Sequence, residues 1–386
     1  ARSLVAERVA AIAPDPERGG MFLTGHSHID TAWLWPLRET VRKCGRTFAT
    51  ACRMLERHPH YHFSCSQPQL YEYAQQHFPA LYEEIKGWVK AGRWETTGGM
   101  WVESDCNVPS GEALIRQVLH GVRFFQAEFG TRPDTCWLPD VFGYSGALPQ
   151  IMRGCGVKYF STAKIYWAYT GSEPFALTTF TWEGIDGSEI IVSMSDDYNS
   201  HVNPASVIQR WNNRPQKDGI STRIFPFGWG DGGGGPTRDH LEYARRLENL
   251  EGAPRVQMAR PIEFFHDLEK RGIPKERYVG ELYFAAHRGT YTSQARTKRG
   301  NRKSEFALRE AEIWSVAANA LQGYTIPQAK LDEAWKTVLL NHFHDILPGS
   351  SIHRVYEEAE AAFAGVISTA NNVAQEAAGQ IAGQGD

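Results

Sequence analysis

Three side chains that can bind a metal ion lie within five positions near the start of the chain. The stretch GHSHIDTAWLWPLRET, residues 25–40, contains His26, His28 and Asp30 just after the apolar run MFL. In an extended segment alternate side chains point the same way, so the three are expected to share one face. Imidazole and carboxylate groups are ordinary ligands of catalytic zinc. By itself the pattern fits a zinc site and hydrogen-bonded structural histidines equally well.

Two further segments each carry a carboxylate that could do chemistry. Asp140 follows a predicted strand in CWLPDVFGYSGALPQI, residues 136–151, where a nucleophile or base would sit. On that segment alone, a turn or N-cap role is the favoured interpretation. Asp231 lies in the glycine-rich FGWGDGGGGPT, residues 227–237, which lacks the pattern of a phosphate-binding loop. Glycines let the backbone approach a ligand, so Asp231 suits a positioned acid; a flexible loop is the alternative.

A histidine cluster and several polar residues complete the candidate set. NHFHDILPGSS, residues 341–351, places His342, His344 and Asp345 at the end of a predicted helix, from which they could reach the rest of the protein. The segments WVESDCNVPSGE and HRGTYTSQARTKRGNR carry residues that we interpret as cleft contacts, although surface loops explain each nearly as well. These residues are Glu103, Asp105, Asn107, His287, Arg288 and Tyr291.

The elements that must position these residues alternate along the first three quarters of the chain. Short apolar runs predict seven strands, and amphipathic stretches between several of them predict helices. The predicted strands are 21–24, 62–64, 135–138, 158–162, 189–193, 224–227 and 255–258. This alternation implies an α/β domain with a mostly parallel sheet, whose chemistry collects after the carboxyl ends of the strands.

The pattern changes to helix alone near residue 295. Helical periodicity predicts three long helices, over about 303–322, 327–344 and 352–381. We therefore predict an α/β domain over 1–295 and an appended helical bundle over 296–386.

The composition excludes several classes of function. Hydrophobic residues make up 42% and charged residues 22% of the 386 residues, as in a globular protein. The formal net charge of −3 offers no basis for binding nucleic acid or an anionic membrane, and no apolar run could span a bilayer. Six scattered cysteines without a C-x-x-C pair favour free thiols and a cytoplasmic location. Twelve tryptophans and fifteen tyrosines suit a sugar-binding cleft or an aromatic core equally.

Taken together, these segments resemble the class II α-mannosidases of glycoside hydrolase family 38, and most of all their cytosolic and bacterial branch. The resemblance spans nearly the whole chain in one order. It rests on GHSHIDTAWLWPLRET, FSCSQPQLY, WVESDCNVPSGEALIRQ, WLPDVFGYSGALPQI, GWGDGGGGPT, ELYFAAHRGTYTSQARTKRGNR and NHFHDILPGSSI. It implies a seven-stranded (β/α) barrel-like domain with mostly parallel strands, followed by a three-helix bundle. It also implies a retaining exo-α-mannosidase that acts on mannose-containing oligosaccharides.

The resemblance further implies one zinc ion per chain, which would bind sugar hydroxyls rather than activate a water. The implied ligands are His28, Asp30, Asp140 and His344, with His26 as a neighbour. Asp140 would also be the nucleophile that forms a glycosyl-enzyme, and Asp231 the acid and then the base. Trp33 would stack beneath the mannose. The predicted substrate contacts are Trp33, Phe142, Asp105, His287 and Tyr291.

Full-length members of the family continue into β-sandwich domains, which are absent here, so we expect a catalytic-region fragment whose own activity is open. Two alternatives remain. A polysaccharide-deacetylase-like hydrolase would use a zinc-bound water and give His344 no role. An inactive carbohydrate- or metal-binding fragment would keep the pocket without turnover. The sequence is compatible with a homo-oligomer.

Overall fold

The computed structural model describes residues 7–8, 19–167, 175–217, 221–272 and 274–383. The strands in this part of the chain are β1 (Gly20–His26), β2 (Phe63–Cys65), β3 (Trp94–Thr96), β4 (Thr135–Trp137), β5 (Tyr159–Thr162), β6 (Thr179–Glu183), β7 (Glu189–Met194), β8 (Thr222–Phe227), β9 (Arg255–Met258) and β10 (Arg277–Val279). The α-helices are α1 (Leu37–Arg57), α2 (Pro68–His77), α3 (Pro79–Lys90), α4 (Gly111–Phe129), α5 (Leu148–Gly154), α6 (Pro204–Asn212), α7 (Arg238–Leu247), α8 (Pro261–Arg271), α9 (Ala295–Gln322), α10 (Gln328–Asn341) and α11 (His353–Ala382).

The strands form two five-stranded sheets. The first is entirely parallel, in the order β3-β2-β1-β8, with β9 also paired to β1. The second has the order β10-β6-β7-β5-β4 and is parallel except for the antiparallel pair β6 and β7. The predicted α/β class with mostly parallel strands is confirmed, whereas closure into a seven-stranded barrel stays a prediction.

One apolar cluster joins the two sheets. Phe22 of β1 and Ile224 of β8 belong to the first sheet, and Trp137 of β4 and Tyr159 of β5 to the second. Helix α8 adds Phe264, which is fully buried. Because side chains of both sheets pack in this one cluster, the two sheets hold fixed positions relative to each other, and so do the ends of their strands.

All seven predicted strands are present, but the sequence missed β3, β6 and β10. Strands β3 and β10 are only three residues long, too short to show an apolar alternation. Strand β6, TFTWE, is polar at alternate positions and is stabilised by its antiparallel partner β7.

The three long C-terminal helices share a core, to which Trp101 and Val102 of the α/β part also belong. Leu308 of α9, Trp335 and Val338 of α10, and Phe363 of α11 are buried in it together. Gly323 caps the C-terminal end of helix α9. Its φ of 69° is a left-handed conformation that glycine adopts without strain. The predicted helices are confirmed, although α9 begins about eight residues earlier than predicted. The division at residues 295 and 296 stays a prediction.

A short pairing ties these helices to the α/β part of the protein. Ser104 and Phe343 form an antiparallel bridge. The Asp105 amide donates to the carbonyl of His342 at 2.8 Å, and the His344 amide donates to the carbonyl of Glu103 at 3.2 Å. The segment after α10 is thereby laid against the loop that contains Glu103.

The six cysteines are all free, and five of them are buried, which confirms the prediction of free thiols. Among the helices of the described ranges, not one combines the length and apolar character that a bilayer crossing would require.

Candidate metal and carbohydrate site

Four of the predicted residues meet in one buried cluster. His28, Asp30, Asp140 and His344 each offer a nitrogen or oxygen atom, and these atoms lie within 4.8 Å of one another. His344 Nε2 is 3.5 Å from Asp30 Oδ1 and 3.5 Å from Asp140 Oδ2. His28 Nε2 is 2.8 Å from Asp30 Oδ1. Two imidazoles and two carboxylates therefore converge on one point.

The cluster forms where strand ends meet the helical region. His28 and Asp30 follow the carboxyl end of β1, and Asp140 follows that of β4, as expected for parallel sheets. His344 arrives from the turn after α10, and its Nδ1 lies 2.9 Å from the carbonyl oxygen of Glu103. The α/β part thus supplies three of the four groups, and the helical region supplies the last.

Acidic and basic side chains lie together in the cluster, and each shifts the pKa of the other. Burial by itself would raise the pKa of Asp140, but the contact with His344 and the charge of Lys164 hold that pKa well below its usual range. Burial opposes the charged form of His344 as well, yet the neighbouring carboxylates of Asp140 and Asp30 raise its pKa to about 10. The carboxylates therefore stay ionised and concentrate negative charge in a buried position, where a metal cation could replace the imidazole protons.

The geometry fits a metal ion of the zinc type. Ligand atoms about 2.0–2.1 Å from a tetrahedral zinc lie roughly 3.3 Å apart, close to the separations of 3.5 Å around His344 Nε2. That nitrogen is buried and has no partner of good hydrogen-bond geometry among the described residues. A buried imidazole nitrogen facing two carboxylates is an arrangement that a bound cation would satisfy.

A cleft of about 220 Å³ opens above the cluster. Besides the predicted nucleophile Asp140, its lining includes four residues predicted to act on or contact substrate: Trp33, Phe142, Asp231 and His287. The other lining residues are Asp30, Lys164, Trp167, Tyr198, Asp345 and Ser350. Cavities of about 290 and 430 Å³ elsewhere contain none of the predicted site residues.

Asp231 lies in the cleft in an unusual backbone conformation. Its φ of 55° is in the left-handed region. Asn199 Nδ2 donates to Asp231 Oδ1 at 2.9 Å, and the Tyr198 hydroxyl donates to the same oxygen at 3.4 Å. Burial raises the pKa of Asp231, and the negative charge of Asp30 adds to this while His28 opposes it. Asp231 is therefore more readily protonated than Asp140.

Asp105 and Tyr291 are not among the residues that line the cleft, and their contact with substrate stays a prediction. Asp105 is fully buried, and the Tyr291 hydroxyl lies 2.9 Å from its Oδ1 and 3.1 Å from the carbonyl oxygen of Phe142. Asn107 donates to the same hydroxyl at 2.7 Å. The side chains of Asp105, Asn107 and Tyr291 thus stabilise the position of Phe142 from outside the cleft lining. Arg288 is exposed and also lies outside the lining.

Glu103 is another residue predicted to contact the cleft, and the structure places it elsewhere. It is 1% exposed, beneath the cluster, with its carboxylate against His28 and its carbonyl oxygen against His344. The spacing of WVESD gave no indication that this residue touches both histidines, because they come from distant parts of the chain.

The two remaining histidines of the predicted clusters are structural. Trp137 Nε1 donates to His26 Nε2 at 3.1 Å, and burial lowers the pKa of His26 to about 3. His342 contacts Asn301 at 2.7 Å, and burial lowers its pKa to about 3 as well. Strand β1 ends at His26, so the strand alternation does not extend to His28, and the expectation that the two share a face stays a prediction.

Sequence reasoning missed Lys164, Tyr198 and Asn199. Lys164 is buried, forms an ion pair with Asp140 and has its Nζ 4.0 Å from the ring centroid of Trp167. Lys164 follows β5, and Tyr198 and Asn199 follow β7. The rule that chemistry collects after the carboxyl ends of parallel strands could have found all three.

The fold and the cluster define a class: an α/β protein with a metal-competent site at the base of an aromatic-lined cleft. Residues 18–291 match the family described as "Glycosyl hydrolases family 38 N-terminal domain", and residues 285–381 match "Alpha mannosidase middle domain". The chain belongs to glycosyl hydrolase family 38.

The relatives found by sequence agree with this membership. The chain is 44% identical over 361 residues to alpha-mannosidase 2C1 of Homo sapiens, a match that covers 93% of the chain and 34% of that protein. It is 39% identical over 348 residues to an alpha-mannosidase of Saccharomyces cerevisiae, which covers 86% and 32%. The chain thus spans about one third of these curated relatives.

The crystal structure of an alpha-mannosidase from Enterococcus faecalis V583 shares the fold, with a TM-score of 0.83 at 21% identity. The match covers 95% of this chain and 43% of that one.

Proposed function

We propose that the chain carries the catalytic site of a retaining, zinc-dependent exo-α-mannosidase, which releases terminal α-linked mannose from oligosaccharides. The observation that supports this most is the meeting of His28, Asp30, Asp140 and His344 beneath a cleft that also contains Asp231. Family membership and the mannosidases among the relatives support the class of substrate.

The proposed metal is one zinc ion per chain, held by His28, Asp30, Asp140 and His344. When bound, zinc would supply a positive charge that orients sugar hydroxyls. The mixed nitrogen and oxygen ligands support this choice, and cobalt would suit the same set. The fourth ligand comes from the helical region, so zinc would also hold that region to the α/β part.

Asp140 is the proposed nucleophile. A nucleophilic carboxylate must be ionised and held in place, and the lowered pKa of Asp140 meets the first requirement. The ion pair with Lys164 and the contact with His344 meet the second, because they engage Oδ1 and Oδ2 respectively. Attack on the anomeric carbon would join Asp140 to the sugar and release the rest of the glycan as leaving group.

Asp231 is the proposed acid and base. It would give its proton to the departing glycosidic oxygen, and the raised pKa of its carboxyl supports that role. It would then take a proton from the water that hydrolyses the glycosyl-enzyme. Retaining enzymes place the two carboxyl groups about 5–5.5 Å apart, and the presence of Asp140 and Asp231 in one small cleft supports such a pair.

The cleft supports action on a single terminal sugar. Its volume of about 220 Å³ is below the roughly 300–1,000 Å³ of pockets for drug-sized ligands. Trp33 is the proposed stacking surface for the apolar face of mannose, and Phe142 and His287, with ring centroids 4.7 Å apart, the proposed opposite wall.

We propose that the two sheets form one barrel-like domain over 1–295 and that the helices of 296–386 form a three-helix bundle. The core shared by both sheets supports the first statement, and the core shared by α9, α10 and α11 the second. The free cysteines support a cytoplasmic location.

The deacetylase-like alternative receives less support. It gives His344 no role, whereas His344 lies with the other three groups in the cluster.

The test is hydrolysis of an aryl α-mannoside by the purified chain with zinc, with the matching aryl α-glucoside as a control. We expect zinc-dependent turnover of the mannoside, and NMR of the first-formed sugar should show α-mannose. β-Mannose as first product would contradict retention. A chain that binds zinc and mannose without turnover would instead support the inactive binding fragment.

A further inference from the structure

Glu103 contacts both histidines of the cluster, although no sequence pattern links it to either. Its Oε2 lies 2.9 Å from His28 Nδ1, and its main-chain carbonyl oxygen lies 2.9 Å from His344 Nδ1. Its side chain is 1% exposed, so water does not weaken either contact. One residue therefore faces the inner nitrogen of each imidazole, on the side away from the carboxylates of Asp30 and Asp140.

These contacts decide which nitrogen of each ring carries a proton. A carbonyl oxygen only accepts hydrogen bonds, so Nδ1 of His344 must be the donor. The Glu103 carboxylate oxygen lies 2.9 Å from His28 Nδ1 outside hydrogen-bond geometry, so it acts through its charge: it repels a lone pair on that nitrogen and favours an N–H. In both rings the lone pair available to a metal is then on Nε2, the nitrogen that faces the acidic residues.

Glu103 is itself held firmly. Ser66 Oγ donates to its Oε1 at 2.6 Å, and its amide donates to Gln67 Oε1 at 3.2 Å. Gln67 is in the left-handed region, with φ of 65°, and donates to the carbonyl of Ile29 at 2.9 Å. The support of Glu103 thus extends to the chain between His28 and Asp30.

We propose that Glu103 is the positioning residue of the metal centre: it fixes both histidine ligands in the Nδ1–H tautomer and joins the histidine of the strand end to that of the helical region. The proposal rests on the proposed metal site. Groups that orient metal-ligating histidines in this way typically change metal affinity about 10–100-fold when they are removed.

The test compares Glu103→Gln with the wild-type chain. We expect the zinc Kd of Glu103→Gln to rise about 10–100-fold. The visible absorption spectrum of the cobalt-loaded protein should also change, because the imidazole of His28 is less well oriented. A purely structural role would lower the unfolding temperature and leave the cobalt spectrum of the folded fraction as in the wild type.

Glu95→Gln is the matched control. Glu95 is a half-buried carboxyl group on β3, where it accepts a hydrogen bond from the Ile262 amide at 3.3 Å, away from the cluster. We expect Glu95→Gln to keep the wild-type zinc Kd and cobalt spectrum. If Glu103→Gln does not fold, Ser66→Ala replaces it, since it removes one hydrogen bond to the same carboxylate; its zinc Kd should rise roughly fivefold.

Nitrogen NMR of the histidines in the zinc-loaded wild-type chain tests the tautomers without any substitution. We expect Nδ1–H and metal-bound Nε2 in both His28 and His344. Metal-bound Nδ1 in either ring, or an unchanged zinc Kd in both Glu103→Gln and Ser66→Ala, would overturn the role of Glu103 while leaving the metal site intact. A wild-type chain that binds no zinc would overturn the metal site and the role of Glu103 together.

Discussion

Two loops place a carboxylate each in the same cleft by opposite means. We name them after the proposed roles of Asp140 and Asp231: the nucleophile loop, residues 138–144, and the acid loop, residues 227–237. Asp140 is buried and anchored through both oxygens, by Lys164 and His344. Asp231 is only partly buried, and both of its hydrogen bonds engage one oxygen. Surrounding positive charge keeps the first carboxyl ionised, while burial near other carboxylates favours a proton on the second. Environment rather than residue type separates the two roles.

The loops also differ in what holds their backbone. In the nucleophile loop, a side chain holds the backbone: the Tyr144 hydroxyl lies 2.7 Å from the carbonyl oxygen of Leu138. In the acid loop, close backbone packing does so: Trp229 and Gly235 form an antiparallel bridge, and a Cβ atom at Gly233 would overlap with Thr47. The glycines are required there by close approach, so the loop is specified and not merely flexible.

The largest expected effect is the loss of turnover in Asp140→Ala. The variant removes the proposed nucleophile and a metal ligand together, so we expect kcat to fall at least about 10⁴-fold and zinc to bind more weakly. Asp134→Ala is the control, because Asp134 lies just before β4 and forms an ion pair with the exposed Lys158. Full activity in Asp140→Ala would show that Asp140 is not the nucleophile, and the comparison between the two loops would then fail.

His344→Ala tests whether the metal joins the helical region to the nucleophile loop. We expect one zinc per wild-type chain and none in the variant after dialysis, measured by elemental analysis. His353→Ala, which alters an exposed histidine at the start of α11, should keep its zinc. Zinc that persists in His344→Ala would favour the deacetylase-like arrangement.

Asp231→Asn should separate substrates by their leaving groups. Acid assistance contributes typically 10²–10⁴-fold when the leaving group is poor, so we expect a loss of that order on a mannose disaccharide. An aryl mannoside with a stable leaving group should lose much less, because it departs without a proton. Equal losses on the two substrates would show that Asp231 is not the acid.

The raised pKa of Asp231 predicts an alkaline limb in the pH profile. The acid must be protonated, so kcat/KM on the disaccharide should fall as pH rises through that pKa. Asp140 has a lowered pKa and stays ionised at neutral pH, so it contributes no such limb. The limb should be absent from Asp231→Asn; a limb that remains there would assign it to another group.

The smallest expected effect is that of Trp33→Ala. Loss of one stacking contact of about 0.5–1.5 kcal/mol should raise KM for the aryl mannoside roughly two- to tenfold. Zinc content should not change, since Trp33 is not in the metal cluster. Trp314→Ala, at a partly exposed tryptophan of α9, is the control for loss of an indole ring. An unchanged KM in Trp33→Ala would reject the stacking role.

Prediction from the sequence succeeded where a local pattern carries the information. The seven apolar runs became strands, and helical periodicity identified α9, α10 and α11. It failed where partners are remote. Strand β6 depends on its pairing with β7, and Glu103 touches His344 across the junction with the helices.

The sequence by itself determined the kinds of donor, their spacing and the α/β class, because residue type and periodicity are local properties. The family resemblance already indicated His28 and His344 as ligands, but only the tertiary structure brings them together with Asp30 and Asp140 and gives the two carboxyls of the cleft different pKa values. The direction of a side chain, its burial and its pKa depend on atoms brought together from distant parts of the chain, so no local sequence pattern determines these properties.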